Sequence, residues 1–218
     1  MLLVAHRTPA SADRCARLAA AGAQIFEIDV QLIGGRLAVS HYLPLGPAGR
    51  VQRDNWRVRW HTASARDPGV LDVAAAVPAQ CTVLLDIKEK LPHRRRDLLA
   101  AMAETLPDRD RYRVCGPWPE DLELARRAGF RTWRTVGRPP DLRRLLSGGE
   151  LPDEAVSIRH TLLSDEVLKR VRERVPVVVA WTVNELSRAR GLRDLGVDGV
   201  TTDRVAVLRE LASPTRLL

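Results

Sequence analysis

The sequence has too few cysteines for a disulfide framework. Cys15, Cys81 and Cys115 are odd in number, widely spaced and without a metal-type pairing, so they read as reduced residues of a cytoplasmic protein. Long apolar runs are missing too. The longest are strand-sized, which argues against an integral membrane segment. Met1-Leu2-Leu3-Val4-Ala5-His6 enters a strand at once, leaving no stretch of signal-peptide design, and the expectation is a complete intracellular domain. There is no glycine-rich dinucleotide fingerprint and no phosphate P-loop, which counts against a doubly wound sheet. A lysine-rich tail and a nucleic-acid-binding motif are also absent, so a nucleic-acid partner is not expected. Aromatics are scarce at 4%, and five of the nine are Trp.

What is present describes an ordinary globular chain. Its 218 residues suffice for one domain with a large core, and 45% hydrophobic with 28% charged residues is a globular balance. The formal charge of +8 favours anionic partners such as phosphates or anionic lipid surfaces. That surplus is almost all arginine, and it points only weakly.

The stretch Gln24-Ile25-Phe26-Glu27-Ile28-Asp29-Val30 breaks its own pattern. It is apolar and β-branched enough for a buried strand, a place that normally excludes acids. Glu27 and Asp29 are two apart, so a strand points both carboxylates the same way. Side by side they repel, unless one stays protonated or a cation intervenes. A hard divalent cation held by oxygen ligands, Mg²⁺ or Ca²⁺, resolves the conflict. The alternative is a strand end where both acids meet water or nearby arginines.

Along the chain, strands and helices alternate. Strands are expected at Leu2–Ala5, about 24–30, Thr82–Lys88, Arg111–Gly116, Arg131–Val136, Ala155–His160, Val175–Val183 and Gly199–Thr202. Helices are expected at Ala12–Ala21, Val70–Val77, Arg95–Leu106, Pro119–Gly129, Asp141–Leu146, Ser164–Arg174, Glu185–Leu195 and Val205–Leu211. Gly34-Gly35 turns the second strand into a hairpin-like return over Arg36–His41. From about Tyr42 to Pro68 the reading is an irregular loop, with Arg50, Arg53, Arg57, Arg59 and Arg66 around Trp56 and Trp60; it is either a headgroup lid or a solvated cover. Eight strand–helix units fit an α/β fold of the closed (β/α)₈ TIM-barrel type, in a single domain over 1–218. In a barrel, polar residues at the carboxyl ends of strands share one mouth. There the sequence puts His6, Arg7, Glu27, Asp29, Asp86, Lys88, His160, Trp181, Asn184 and Asp203.

Three carboxylates (Glu27, Asp29, Asp86), two histidines (His6, His41) and two cations (Arg7, Lys88) suit phosphodiester cleavage. A metal and the cations neutralise phosphoryl oxygens, while one histidine takes a proton from the nucleophile and the other gives one to the leaving group. Several motifs, in order, resemble the glycerophosphodiester phosphodiesterase family. They are Ala5-His6-Arg7, Glu27-Ile28-Asp29-Val30, His41, Leu85-Asp86-Ile87-Lys88, Ala180-Trp181-Thr182-Val183-Asn184 and Gly196-Val197-Asp198-Gly199-Val200-Thr201-Thr202-Asp203. The resemblance implies a (β/α)₈ barrel that hydrolyses glycerophosphodiesters or related phosphodiester headgroups, with Mg²⁺ or Ca²⁺. It further implies metal binding by Glu27, Asp29 and Asp86, acid–base roles for His6 and His41, and phosphate contacts from Arg7 and Lys88. Trp181 resembles the family's mouth aromatic. Of the two histidines, His41 is read as the acid and His6 as the base.

The sequence departs from the family pattern in four places. Thr8 stands where the family has Gly, and the Pro-Glu-Asn-Thr segment that usually follows is missing. His41 is followed by Tyr42 where the family has Asp, and Asp86 replaces the usual Glu. The last change resembles the sphingomyelinase D relatives, although no cysteine near His41 matches their disulfide-closed loop. A phospholipase of that type, and a non-catalytic barrel that binds anionic ligands, therefore stand beside the phosphodiesterase reading. His160 stays open as a pocket residue. His61 and His93 read as solvated, and Trp118 and Trp133 as packing residues.

Overall fold

The computed structural model describes residues 1–41 and 68–213 in full, and segments 43–44, 49–54 and 57–62 through their backbone. The chain opens with β1 (Leu2–Ala5), α1 (Ala12–Ala20), β2 (Ile25–Ile33) and β3 (Arg36–Val39). Three short strands follow, β4 (Leu43–Pro44), β5 (Gly49–Asp54) and β6 (Arg57–Thr62), then α2 (Val70–Ala76), β7 (Thr82–Ile87) and α3 (Pro92–Thr105). The rest alternates: β8 (Tyr112–Gly116), α4 (Pro119–Arg127), β9 (Arg131–Val136), α5 (Pro139–Ser147), β10 (Ala155–Arg159), α6 (Asp165–Arg172), β11 (Val177–Trp181), α7 (Leu186–Asp194), β12 (Gly199–Thr202) and α8 (Val205–Ala212).

Eight of these strands close a parallel barrel. Their order is β1, β12, β11, β10, β9, β8, β7, β2, and β2 pairs back onto β1 through Val4–Ile25 and Ala5–Phe26. β3 hangs antiparallel on β2 outside the ring. The (β/α)₈ architecture expected from the alternation is the one found.

Local chemistry explains the element ends. Ser11 caps α1 by accepting from the Arg14 amide. Prolines open α3, α4 and α5, where a missing N–H costs nothing and φ is preset. For that reason α3 and α5 begin three and two residues before the Arg95 and Asp141 starts expected from apolar spacing. After α1 the chain turns at Gly22, with φ at +105°, and a Cβ there would lie 2.5 Å from the Ala212 Cβ.

The expectation of an irregular loop over 42–68 needs correction. β4, β5 and β6 form a three-stranded antiparallel sheet, with Val51 opposite Trp60 and Arg53 opposite Val58. The alternation Arg57-Val58-Arg59-Trp60-His61-Thr62 has a strand's two-residue period, but its arginines hid it from a search for apolar runs. Trp56 and Arg66, and the side chains of Trp60 and the other arginines of the expected lid, lie outside the described residues.

The barrel positions the site through strand parity. Alternate side chains of a strand face opposite ways. Val4, Ile25, Leu84, Cys115, Trp133, Ala155 and Val179 pack as an apolar cluster inside the barrel. Phe26, Ile28, Leu85, Val114 and Ile158, on the opposite parity, pack outward with Leu98, Leu122, Leu192 and Leu208 of the helices. Two residues beyond the inner cluster on the same parity come His6, Glu27, Asp86, Thr135, Ser157 and Trp181. They line an open cavity of about 1030 Å³ at the carboxyl ends of the strands.

Candidate active site

The acids of β2 and β7 meet in this mouth. Register sets Asp29 beside Asp86 on the neighbouring strand, with Glu27 one inward position below Asp29. One ligand oxygen from each of the three lies within 4.8 Å of the others. Glu27 and Asp29 are only 4% and 3% exposed, so the cluster is held in low dielectric rather than in water. Like charges placed this way destabilise a sheet unless something compensates. Part of the compensation is Lys88, just past the end of β7 and two residues beyond Asp86, whose Nζ bonds Asp86 and lies 2.9 Å from Asp29 Oδ1.

The electrostatics follow. Burial and the charge of Asp29 push Glu27 well above the usual carboxylate range. Burial works the same way on Asp29, yet the His41 hydrogen bond and the Lys88 charge outweigh it and hold Asp29 well below that range. Burial raises Asp86 too, and Lys88 only partly offsets this. Lys88, despite its own burial, is pushed well above its usual value by the three acids.

Glu27 accepts the Arg7 amide on Oε2 at 2.8 Å, while its buried Oε1 has no hydrogen-bond partner among the described residues. An ionised oxygen so placed is costly. An all-oxygen donor set with one unmatched buried carboxylate oxygen fits a hard divalent cation.

Each histidine is oriented by a carboxylate at Nδ1. His41 Nδ1 lies 2.5 Å from Asp29 Oδ2, and His6 Nδ1 lies 2.7 Å from Asp203 Oδ1. With Nδ1 donating to the carboxylate, Nε2 is the working nitrogen in both rings. His6 Nε2 faces Glu27 Oε2 at 3.9 Å, and His41 Nε2 receives the Arg7 guanidinium at 2.9 Å. A guanidinium only donates, so His41 Nε2 presents its lone pair in this arrangement. Arg7 itself has φ at 53°, a left-handed conformation uncommon for a side-chain-bearing residue, in which its backbone N–H donates a hydrogen bond to Glu27 Oε2.

All eight site residues expected from the sequence thus come together, with Trp181 at the far wall. Two further partners emerge. Asp203 was placed at the mouth but not tied to His6, and Asn184 buttresses it, donating to Asp203 Oδ2 at 2.9 Å and accepting the Asp203 amide at 3.0 Å. Burial would raise Asp203, but the bonds from His6 and Asn184 hold it below the usual range. The signal was an Asn and an Asp at the ends of adjacent strands, too common to single out from spacing. His160 also lines the cavity, and so does Trp118, which is less purely a packing residue than expected. His93 is exposed, as expected, and the His61 side chain lies outside the described residues.

Comparison with known proteins places this geometry. Residues 137–207 match the sequence model of the Glycerophosphoryl diester phosphodiesterase family, a span that holds Trp181, Asn184 and Asp203. The fold is shared with solved glycerophosphodiester phosphodiesterases over nearly the whole chain. The enzyme of Thermotoga maritima is 19% identical, with a TM-score of 0.71 over 97% of this chain and 98% of that one. A phosphodiesterase of Oleispira antarctica, solved with its product sn-glycerol-3-phosphate, is 16% identical, with a TM-score of 0.73 over 98% and 97% of the two chains. That of Agrobacterium tumefaciens is 14% identical, with a TM-score of 0.67 over 97% and 98%. None of the curated proteins matches the chain. The resemblance read from the motifs is thus met by the sequence model over 137–207, and the TIM-barrel fold is shared with these solved phosphodiesterases over nearly the whole chain.

Proposed function

We propose that the protein is a metal-dependent phosphodiesterase that hydrolyses glycerophosphodiesters to an alcohol and a phosphomonoester. One observation carries the reading: two carboxylate-oriented histidines face the same buried three-acid cluster across one open mouth. Glu27, Asp29 and Asp86 would hold the cation, Mg²⁺ or Ca²⁺, which when bound supplies positive charge against the phosphoryl oxygens.

The chain's own groups do the rest. Arg7 and Lys88 supply further positive charge for the phosphate, and binding draws Arg7 away from His41. His6, its Nδ1 proton held by Asp203, takes the proton of the attacking nucleophile at Nε2. His41 serves as the acid once its Nε2 has gained a proton, with Asp29 orienting the ring through Nδ1. Trp181 walls the side where the rest of the substrate lies. The three buried free thiols, and the lack of any described helix long and apolar enough to cross a membrane, support a reading as a cytoplasmic enzyme acting on a small diester or lipid headgroup.

The roles separate by leaving group. Each of His6→Ala and His41→Ala should slow hydrolysis of an alkyl glycerophosphodiester by about 10²–10⁴-fold. On bis(p-nitrophenyl) phosphate, whose nitrophenolate departs without a proton, His41→Ala should keep most of its rate and His6→Ala should not. Near-wild-type rates for both variants on both substrates would remove the histidines from the mechanism.

A further inference from the structure

The catalytic groups occupy only part of the mouth. They come from β2, from the ends of β1 and β7 and, in His41, from just after β3, with Asp203 following β12, while β8 to β11 build the opposite wall. At about 1030 Å³ the cavity is at the top of the range of roughly 300–1000 Å³ typical of small-molecule sites. A phosphate and a glycerol leave much of it to the rest of the substrate.

The charge of that wall is one-sided. Arg159 continues the inward parity of Ala155 and Ser157 and stands beside Trp181 in register. It is exposed, and it has no ion-pair or hydrogen-bond partner among the described residues. Lys90, across the opening beyond Lys88, likewise has no ion-pair partner for its ammonium among them. The acids that line the cavity are already engaged. Glu27 and Asp86 belong to the cluster around Lys88, and Asp203 is held by His6 and Asn184. Among the described residues no acid of the β8–β11 wall lines the cavity, although the charge of Glu185 reaches His160.

His160 adds a directed donor. Arg188 Nε donates to its Nδ1 at 3.3 Å, and Arg188 Nη2 donates to its carbonyl oxygen. Because arginine only donates, the ring proton of a neutral His160 is on Nε2. Burial and the charges of Arg188 and Arg159 favour that neutral form and outweigh the opposing charge of Glu185.

The aromatics do not form a cage for a quaternary ammonium. One face of Trp118 already carries the Arg95 guanidinium, 4.1 Å from the ring centroid. The Trp181 ring is tied through Nε1 to the Ser157 carbonyl at 3.0 Å. A choline group lying there would also share the cavity with the cations of Arg159 and Lys90.

We infer that the β8–β11 wall is a headgroup subsite selecting glycerophosphodiesters whose headgroup carries a second negative charge, with Arg159 and Lys90 as its cations and His160 Nε2 as a neutral donor. This rests on the phosphodiesterase reading above and adds the substrate class to it.

Three diesters test it: glycerophosphocholine, glycerophosphoglycerol, and glycerophosphoglycerol bearing a terminal phosphate. Wild-type kcat/KM should rise in that order, and added salt should narrow the spread. Arg159→Glu, with an unchanged melting temperature, should lower the ratio of terminal-phosphate to choline substrate by about tenfold or more, a change of about 1.4 kcal/mol or more. A wild-type ratio at or below one, or the same ratio in folded Arg159→Glu, would overturn the subsite. Calorimetric binding of the three diesters to the metal-free protein keeps the two readings apart. If no diester were cleaved with any metal, the phosphodiesterase reading would fail, and the order of binding would still decide the headgroup preference.

Discussion

At the residue scale, the site is an exercise in holding charge where a buried strand would normally refuse it. The period-two spacing of Glu27 and Asp29 already exposed the conflict, because both had to point one way on a strand otherwise built of Ile, Phe and Val. Asp86 and Lys88 were legible for the same reason. The partners of the histidines were not. Which carboxylate reaches His6 Nδ1 depends on the closure of β1 against β12, a contact nearly two hundred residues apart in sequence. Asp29 looked like a metal ligand alone, whereas it also orients His41. On the proposed mechanism Asp203 is a positioning residue, since it touches His6 and not the reacting atoms. Asp203→Asn removes the charged acceptor that fixes the His6 tautomer, and kcat should fall by about 10²-fold, the low end for a lost acid or base. KM and the melting temperature should stay close to wild type. A loss confined to KM, or an equal loss of stability, would assign Asp203 to substrate binding or to the fold instead.

At the scale of elements, apolar spacing located every barrel strand and placed the helices to within a few residues at their starts. The errors are informative. Proline-initiated helices begin before the first apolar residue, because the first turn needs no buried side chain. The β4–β6 sheet was missed because arginine occupies alternate positions that a pattern search expects to be apolar or neutral. The junction of α3 and α4 shows how this arginine-rich chain uses its charge internally. Arg95 of α3 is 3% exposed; it bonds Asp121 of α4, donates to the Lys90 carbonyl at 2.6 Å and stacks on Trp118. Breaking a buried pair by removing one partner leaves an uncompensated charge, which costs about 3–5 kcal/mol. Asp121→Ala should lower the unfolding free energy in urea by about that amount. A change under about 1 kcal/mol would mean that Glu120, whose Oε1 lies 3.6 Å from Arg95 Nη2, the Lys90 carbonyl or solvent already satisfies the guanidinium.

At the scale of the whole molecule, the barrel sorts one sequence into two faces by parity alone. Odd and even positions of the same strand go to the outer core or to the mouth, and the inner apolar cluster ends where the polar residues begin. This division makes the fold readable from alternation, and it leaves the mouth as the place where buried charge accumulates. The surplus of arginine, a weak pointer in the composition, divides in the same way. Some is neutralised inside, as at Arg95, and some is left open at the mouth, as at Arg159. On the proposed function, the acid cluster and the two histidines form a metal-assisted phosphodiesterase centre. Its most direct measurement is release of glycerol phosphate from a glycerophosphodiester by the wild-type protein, with Mg²⁺ or Ca²⁺ and again after chelation. Turnover should be steady with the metal, abolished by the chelator and restored when the metal is returned. Absence of release with either cation, or a rate the chelator leaves unchanged, would contradict it.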